Sequence, residues 1–354
     1  MKELIARFQI KEAPLTCERH GHGHINETYL VTCENSARYI LQKINKGIFT
    51  KPVELMENIA ATTAYIIENS RDPRAAMQLV LTKEGKACCQ DADGEYWRMY
   101  EFVPGTICLQ KAETPKDFYY CGLIFGRFQG QLANFPAETL HEPIADFHNT
   151  RVRFQQLRAA MEVNFENRLE TCRKEVEFAL SRECEAGAIV DKLASGELPL
   201  RVTHNDTKLN NILFDEKTRT PVCVIDLDTI MPGSSLYDYG DAIRFGASTA
   251  AEDEKDLNKV WCDLELFRTY TQGFLEGCEG SLTEREVEMM PMGAKLMTLE
   301  CGIRFLADYL NGDTYFRTHF ADQNLVRART QLKLVADMED KWARMHQIVK
   351  ECAK

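Results

Sequence analysis

Two short apolar segments joined by a polar turn constrain the fold of this chain more than any other feature. Residues 212–214 and 221–226 have the composition of strands. A hairpin of this length would bring Asn211, before the first strand, beside Asp226, at the end of the second. Because strand side chains alternate between two faces, we expect Asp226 and Asp228 to lie on the same face.

The segment before this hairpin carries His204, Asp206 and Lys208. Together with the hairpin residues, these groups suit phosphoryl transfer from ATP. The attacking hydroxyl must lose a proton and be held in line with the γ-phosphate, and Asp206 can orient it and accept the proton. Mg²⁺ neutralises phosphates and takes oxygen ligands such as the Asn211 amide and the Asp226 carboxylate. Lys208 can reach the transferring phosphate.

The spacing from His204 to Asn211, His-x-Asp-x-x-x-x-Asn, is that of the kinase catalytic loop. The chain resembles the aminoglycoside phosphotransferase/choline kinase-like family of small-molecule kinases, and is most similar to its bacterial N-acetylhexosamine 1-kinases. The resemblance covers nearly the whole chain and rests on five segments: 23–31, 39–45, 55–59, 202–214 and 300–312. It implies an α+β, protein-kinase-like bilobal fold, with a small α/β lobe built on an antiparallel sheet and a larger, mainly helical lobe.

The change from strand patterns to helical periodicity predicts where the lobes divide. Residues 97–105 form an apolar strand that ends in Pro-Gly, which is typical of a hinge. We therefore predict a nucleotide-binding lobe at 1–103 and a catalytic and acceptor-binding lobe at 104–354. The backbone of Glu101 to Val103 would hold the adenine, and the resemblance implies ATP with Mg²⁺ as the donor, with GTP as an alternative.

A glycine-containing segment precedes the first predicted strand of the small lobe. Gly21, Gly23 and Asn26 are candidates for contact with the nucleotide phosphates, because glycine lets backbone amides approach phosphate oxygens closely. An alternative for this segment is a metal site on its alternating histidines, His20, His22 and His24.

The next strand and helix are expected to supply an ion pair to the nucleotide site. Lys43 is the candidate for the lysine that contacts the α- and β-phosphates, and Glu57 is its expected partner. Two alternatives remain open. Gln42 faces the nucleotide if the strand register differs by one residue, and Glu54 can replace Glu57.

Residues after the hairpin are candidates for the acceptor site. In this family an Asp at the place of Asp241 usually supports the backbone of the catalytic loop, and Asp238 is a further candidate. Phe245 would lie near the acceptor, where an aromatic ring can stack on the apolar face of a sugar. The alternative for Phe245 is packing in the core.

A helix predicted over about residues 286–310 carries Glu300, Arg304 and Asp308 at i,i+4 spacing, so that they share one face. A partly buried Arg304 can donate to two sugar oxygens. We predict Arg304, Asp308 and the adjacent Tyr309 as acceptor-binding residues. The alternative is an exposed ladder of ion pairs.

Composition limits the partners. The 354 residues carry a net charge of −11, which argues against a nucleic-acid partner. No apolar run approaches the roughly 18 residues of a membrane span. The N-terminus does not resemble a secretory signal, and thirteen dispersed cysteines favour reduced thiols, so we expect a cytoplasmic protein. The expected partner is a small-molecule sugar, and the expected state is a monomer or weak dimer.

Three functions remain open. The first is transfer of phosphate to the anomeric C1 hydroxyl of N-acetylglucosamine or N-acetylgalactosamine, with Asp206 as the catalytic base. The second keeps the fold but uses an amino alcohol, a homoserine-like acceptor or an aminoglycoside, whose cationic amines would need clustered acids. The third is a non-catalytic nucleotide-binding regulator. The complete set of Asp206, Asn211 and Asp226 argues against it.

Overall fold

A computed structural model describes residues 1–21, 25–70 and 72–354. Gly23, expected in the phosphate-contacting segment, and the neighbouring His22 and His24 lie outside the described residues. The chain divides into two compact units, each built from three stretches. The first unit comprises Met1–Leu109, Gln131–Ala145 and Asn210–Pro232. The second comprises Gln110–Gly130, Asp146–Leu209 and Gly233–Lys354. The single boundary expected between residues 103 and 104 stays a prediction.

The strands are β1 (Pro14–Arg19), β2 (Glu27–Cys33), β3 (Arg38–Ile44), β4 (Cys89–Gln90), β5 (Tyr96–Glu101), β6 (Thr106–Ile107), β7 (Arg201–Thr203), β8 (Ile212–Asp215), β9 (Pro221–Val224) and β10 (Met231–Gly233). In the first unit, β1 to β5 form an antiparallel sheet in the order β1-β2-β3-β5-β4. A second sheet in this unit has the order β6-β8-β9, and it contains the hairpin predicted from the sequence.

The five-stranded sheet has one apolar and one polar face near its centre. Leu41 and Met99 stand opposite each other on β3 and β5 and are fully buried, and Phe8 packs against the same core. The neighbouring positions, Gln42 and Arg98, are also opposite each other but point to the other face. The polar face is thus built into the centre of the sheet, where a side chain without partners would be costly to bury.

The helices are α1 (Lys2–Ile5), α2 (Pro52–Asn69), α3 (Pro115–Gln131), α4 (Thr150–Val163), α5 (Leu169–Leu180), α6 (Val190–Ser195), α7 (Ser235–Gly246), α8 (Leu264–Cys278), α9 (Glu284–Leu310), α10 (Gln323–Asp340) and α11 (Trp342–Cys352). The α9 helix agrees with the prediction over 286–310. A capping box starts it, in which the Thr283 side chain accepts from the Glu286 amide and the Glu286 side chain accepts from the Thr283 amide.

The expected α+β class is confirmed, with an antiparallel sheet in the N-terminal region and helices dominating the remainder. Within the residues that the structure describes, no helix combines the length and apolar character needed to cross a membrane.

Glycines at spacings of four allow α3 and α8 to approach each other at backbone distance. The positions concerned are Gly122, Gly126, Gly130, Gly273 and Gly277. A Cβ added at Gly126 would lie 2.2 Å from the Phe274 carbonyl oxygen, and one at Gly277 would lie 2.1 Å from the Leu123 carbonyl oxygen. Since neither backbone can yield locally, the glycines fix the separation of the two helices.

We expect Gly126→Ala to lower the free energy of unfolding by about 1–3 kcal/mol, because the added methyl group forces a backbone shift. Urea unfolding of the purified variant measures this. Gly302→Ala is the matched control, since its Cβ would meet only side-chain atoms, the nearest at 3.1 Å. Equal stability of the two variants would show that α3 and α8 can separate at little cost.

Candidate active site

A buried carboxylate in the second unit holds the catalytic loop. Asp238, on α7, accepts hydrogen bonds from the backbone N–H groups of His204 (2.9 Å) and Asn205 (2.7 Å) and from Gln129 Nε2 (2.8 Å). The Thr207 hydroxyl donates to the Asp238 carbonyl oxygen at 2.8 Å. Burial raises the pKa of Asp238, and the donors that face it oppose that shift. The loop backbone is therefore fixed on both sides of Asp206.

The residue that supports the catalytic-loop backbone is Asp238 and not Asp241, which the sequence had favoured. Asp241, expected as the main supporting residue, instead forms an ion pair with Arg244 at 2.9 Å. The His204 ring packs edge-on against Phe125 and Phe128 of α3, at centroid distances of 5.3 and 5.9 Å. The helix α3 therefore both packs closely against α8 and supports the His204 ring.

Asp206 and Lys208 form an ion pair in the loop. Lys208 Nζ lies 2.6 Å from Asp206 Oδ1, and both side chains are partly exposed. Burial would lower the pKa of Lys208, but the carboxylates of Asp206 and Asp241 together raise it above its usual value. A carboxylate and a fixed cation thus stand side by side, as transfer of a phosphoryl group to a hydroxyl requires.

Asn211 and Asp226 are brought together in the first unit by the β8–β9 hairpin. The Ile225 amide donates to the Asn211 carbonyl oxygen at 2.9 Å, so the residue before Asp226 is tied to Asn211. The expected shared strand face of Asp226 and Asp228 is wrong. The strand ends at Val224, and Asp226 has left-handed backbone angles, φ 61° and ψ 60°. A 3-10 turn then redirects the chain.

The two side chains fit a magnesium ion. An amide oxygen and a carboxylate are hard ligands, and two protein ligands suffice where nucleotide phosphates supply others. Among the described residues, no three His, Cys, Asp or Glu side chains form a metal site by themselves. Asn211 and Asp226 could hold such an ion, which would neutralise the phosphate charge.

Asp228 has a separate set of partners in the first unit. Its Oδ1 accepts from Arg98 Nη1, and its Oδ2 accepts from Asn26 Nδ2. The Asn26 side-chain oxygen Oδ1 accepts from the Asn45 backbone amide at 3.0 Å. Asn26, expected beside the nucleotide, thus joins β2, β3 and the turn after β9. The sequence expectation did not include Arg98.

The expected ion pair of Lys43 and Glu57 is wrong. Lys43 Nζ lies 3.5 Å from a Glu95 oxygen and 3.9 Å from a Glu27 oxygen. Glu57 instead pairs with His141 Nε2 at 2.8 Å. Lys43 follows Leu41 on the core face of β3, and therefore points away from the face of Gln42 and Arg98. Gln42 lies on the same face as Arg98 and accepts a hydrogen bond from it, and contact of Gln42 with a nucleotide stays a prediction.

The remaining nucleotide-site candidates lie at or just after the ends of strands β1 and β5. Gly21 has φ 76°, a left-handed conformation that favours glycine. The Glu101 amide donates to the Gln78 carbonyl oxygen at 2.9 Å, and the Val103 carbonyl oxygen accepts from the Thr106 hydroxyl at 2.8 Å. Contact of Gly21, Glu101 and Val103 with a nucleotide stays a prediction.

A cavity of about 370 Å³ in the second unit adjoins the catalytic loop. Lys208 and Phe245 both line it, together with apolar residues that include Phe118 and Leu266. The Phe245 ring is 53% exposed, so it is not a core residue. The structure thus brings this predicted acceptor residue into the same cavity wall as Lys208.

Glu300, Arg304 and Asp308 do not form the exposed ladder of ion pairs that was the alternative for this helix. Glu300, only 2% exposed, accepts from His148 Nδ1 and from the Thr150 hydroxyl, both at 2.8 Å. Burial would raise the pKa of Glu300, but the hydrogen bond from His148 and nearby arginines hold it below its usual range. His148 was not anticipated from the sequence.

Arg304 lies between two aromatic rings. Its guanidinium carbon is 5.7 Å from the Phe147 ring centre and 5.4 Å from the Phe316 ring centre. Across the described parts of the chain, it forms no ion pair or side-chain hydrogen bond. The rings hold the group in place while its N–H donors remain available to a ligand.

Asp308 and Tyr309 are used in structural contacts. Asp308 accepts hydrogen bonds from five donors: the Thr314, Tyr315 and Phe316 amides, the Thr314 hydroxyl and the Asn324 side chain. The Tyr309 hydroxyl bonds to Thr171 at 2.9 Å. These contacts anchor the loop after α9. The expected role of both residues in acceptor binding stays a prediction and receives no support from this geometry.

We expect Lys43→Met to change KM for ATP by less than about threefold, because an exposed ion pair on the opposite sheet face contributes little. Steady-state kinetics with varied ATP measures this. Lys46→Met is the matched control, since Lys46 shares the partner Glu95 at 3.1 Å. A rise in KM of about tenfold or more in Lys43→Met alone would restore its assignment to the nucleotide site.

Several solved structures of known proteins have a similar fold. The chain is similar in structure to an aminoglycoside phosphotransferase from Alicyclobacillus acidocaldarius, with a TM-score of 0.63, 12% identity, and coverage of 99% of this chain and 96% of that one. A microcompartment-associated aminopropanol kinase is similar with a TM-score of 0.60 and 17% identity, and the match covers 98% of this chain and 97% of that one. The amicoumacin kinase hAmiN, solved with AMP-PNP and Ca²⁺, is similar with a TM-score of 0.58 and 16% identity, and the match covers 92% of this chain and 88% of that one.

At these identities the structural likeness establishes the fold alone, which is that of this group of kinases. Membership follows from a sequence comparison, in which the phosphotransferase enzyme family known as APH matches residues 16–270 of the 354. That match includes the catalytic loop and the β8–β9 hairpin. The chain therefore belongs to the APH family of aminoglycoside phosphotransferase/choline kinase-like enzymes.

Proposed function

We propose that this protein is an ATP- and magnesium-dependent kinase that phosphorylates the anomeric C1 hydroxyl of an N-acetylhexosamine. The observation that carries the acceptor choice is Arg304, held between Phe147 and Phe316 with its donors unengaged. A guanidinium group of this kind favours an acceptor rich in oxygen atoms. The resemblance of the sequence around Arg304 to sugar kinases supports the same choice.

The acids around Arg304 argue against a cationic acceptor. Glu300 is committed to His148, and Asp308 is committed to backbone amides. Asp241 and Glu252 both pair with Arg244, at 2.9 and 2.8 Å. An aminoglycoside or amino alcohol needs acids that can pair with its ammonium groups. These carboxylates already have partners, whereas the nearby guanidinium of Arg304 does not.

The catalytic roles follow from the loop and the hairpin. Asp206 would orient the acceptor hydroxyl and take its proton, and Lys208 would stabilise negative charge on the transferring group. Magnesium, when bound, would screen the phosphate oxygens. Asn211 and Asp226 would hold it, and Asp238 keeps the catalytic-loop backbone fixed.

An acceptor screen tests the proposal. ATP consumption by the purified protein is measured with N-acetylhexosamines, amino alcohols, homoserine and aminoglycosides, and the phosphorylated position is assigned by ³¹P NMR. Turnover with an N-acetylhexosamine, giving a 1-phosphate, is the expected result. Turnover only with a cationic acceptor would overturn the acceptor assignment and leave the kinase assignment intact.

Asp206→Asn should lower kcat by at least about 10²-fold, the usual scale for a positioned base, because an amide cannot accept the proton. Binding of ADP, measured by calorimetry, should remain close to wild type and serves as the control for folding. Turnover near that of the wild type would remove Asp206 from the mechanism.

Arg304→Lys should raise KM for the hexosamine, by roughly tenfold to a hundredfold, because an ammonium cannot reproduce the paired guanidinium donors. KM for ATP should not change. Arg317→Lys, on the exposed loop after α9, is the matched control. Unchanged hexosamine kinetics in Arg304→Lys would show that the arginine does not contact the acceptor.

A further inference from the structure

A buried ion pair lies two residues from the carboxylate expected to bind metal. Arg98 is 1% exposed and Asp228 is 4% exposed, and their side chains are directly bonded. Burial would lower the pKa of Arg98, but the facing Asp228 carboxylate raises it above the usual value. Asp226 contributes in the same direction, so the Arg98 charge also acts on that carboxylate.

Arg98 is itself held in a fixed direction. Its Nε donates to Gln42 Oε1 at 2.9 Å, and Gln42 Nε2 donates to Thr28 Oγ1 at 3.0 Å. Its Nη1 also lies 3.8 Å from the Met56 sulfur of α2. These contacts leave the guanidinium one orientation, in which it faces Asp228.

Both oxygens of Asp228 are therefore committed, Oδ1 to Arg98 and Oδ2 to Asn26. A carboxylate two residues from Asp226 would otherwise be an available ligand for the same divalent cation. Removing it from coordination would require a counter-charge, because a buried carboxylate without one is strongly unfavourable. Arg98 supplies that charge.

We infer that Arg98 is a positioning residue that holds Asp228 out of metal coordination, so that Asp226 is the single carboxylate ligand beside Asn211. This inference rests on the proposed function in one respect only, the magnesium-binding role of Asp226 and Asn211. A site with one carboxylate binds free metal weakly and depends on the nucleotide phosphates for its remaining ligands.

The test uses Mn²⁺ as the probe and the full-length chain without nucleotide. Mn²⁺ affinity is measured by calorimetry, and the number of water molecules on the bound ion is measured by water-proton relaxation. Three variants are compared with the wild type: Arg98→Met, the double variant Arg98→Met/Asp228→Asn, and Lys43→Met. The double variant removes one positive and one negative charge together, so the net charge near the metal is unchanged.

The double variant should bind Mn²⁺ within about threefold of the wild type and with the same number of water molecules, because neither removed charge belongs to the metal site. It should also fold, since neutral replacement of a buried ion pair is often tolerated. Mn²⁺ binding at least about tenfold weaker would show that Asp228 is a ligand, which would overturn the inference.

Arg98→Met should bind Mn²⁺ more tightly and with fewer water molecules, because the released Asp228 carboxylate replaces water on the ion. A change in Mn²⁺ affinity without loss of water from the ion would mean that the Arg98 charge acts on the metal only at a distance. That result would also overturn the inference. Lys43→Met, which removes a cation from the other sheet face, should match the wild type in both measurements. If Arg98→Met does not fold, the double variant alone decides the question.

The outcome is separable from that of the acceptor screen, since no acceptor is present. Because the wild-type site is expected to bind free metal weakly, a wild-type protein that binds no Mn²⁺ even when ADP is added would count against Asp226 and Asn211 as ligands, and so against the proposed function. Gain of Mn²⁺ binding in Arg98→Met would still support the restraint of Asp228 by Arg98.

Discussion

The geometry of the catalytic loop depends on one buried carboxylate. Asp238 accepts from two consecutive backbone amides, those of His204 and Asn205, and from the side chain of Gln129. Consecutive N–H groups in a loop cannot pair with each other, and burying them unpaired would be costly. By satisfying both, Asp238 makes a tight buried loop possible. The direction of Asp206 follows from that backbone.

Acidic residues divide into two groups by what surrounds them. Asp228, Asp238, Glu300 and Asp308 are buried, and each accepts hydrogen bonds from groups in other parts of its own unit. Such carboxylates fix turns and helix ends, because each can take several donors at once. Asp206 is more exposed and forms an ion pair with Lys208. Perturbed or buried acids are therefore not, by that property alone, the catalytic ones.

The sequence was informative where function and structure are local. The catalytic loop, the hairpin and the long helix α9 were predicted from spacing and periodicity, and the structure contains the hairpin and α9 near the expected residues. Asp226 and Asn211 come together because a short turn leaves the chain few alternatives.

Contacts between distant elements could not be predicted in the same way. Moving a strand by one residue exchanges its faces, so Lys43 and Gln42 were nearly equivalent in the sequence although their surroundings differ completely. Helical spacing correctly placed Glu300 and Arg304 near one another, but it did not identify His148, which is 152 positions away from Glu300. Arg98, between Trp97 and Met99 in β5, was a local sign of the buried ion pair.

The left-handed backbone at Asp226 has a consequence for how such a site can change over generations. Asn and Asp enter this conformation more readily than other residues with side chains, and Gly enters it without cost. Both Asn and Gly can be reached from an Asp codon by a single base change. Asn keeps an oxygen that can bind metal, whereas Gly removes the side chain and leaves the turn intact. The backbone thus offers one mutational route that weakens the site gradually and another that abolishes it while the fold persists.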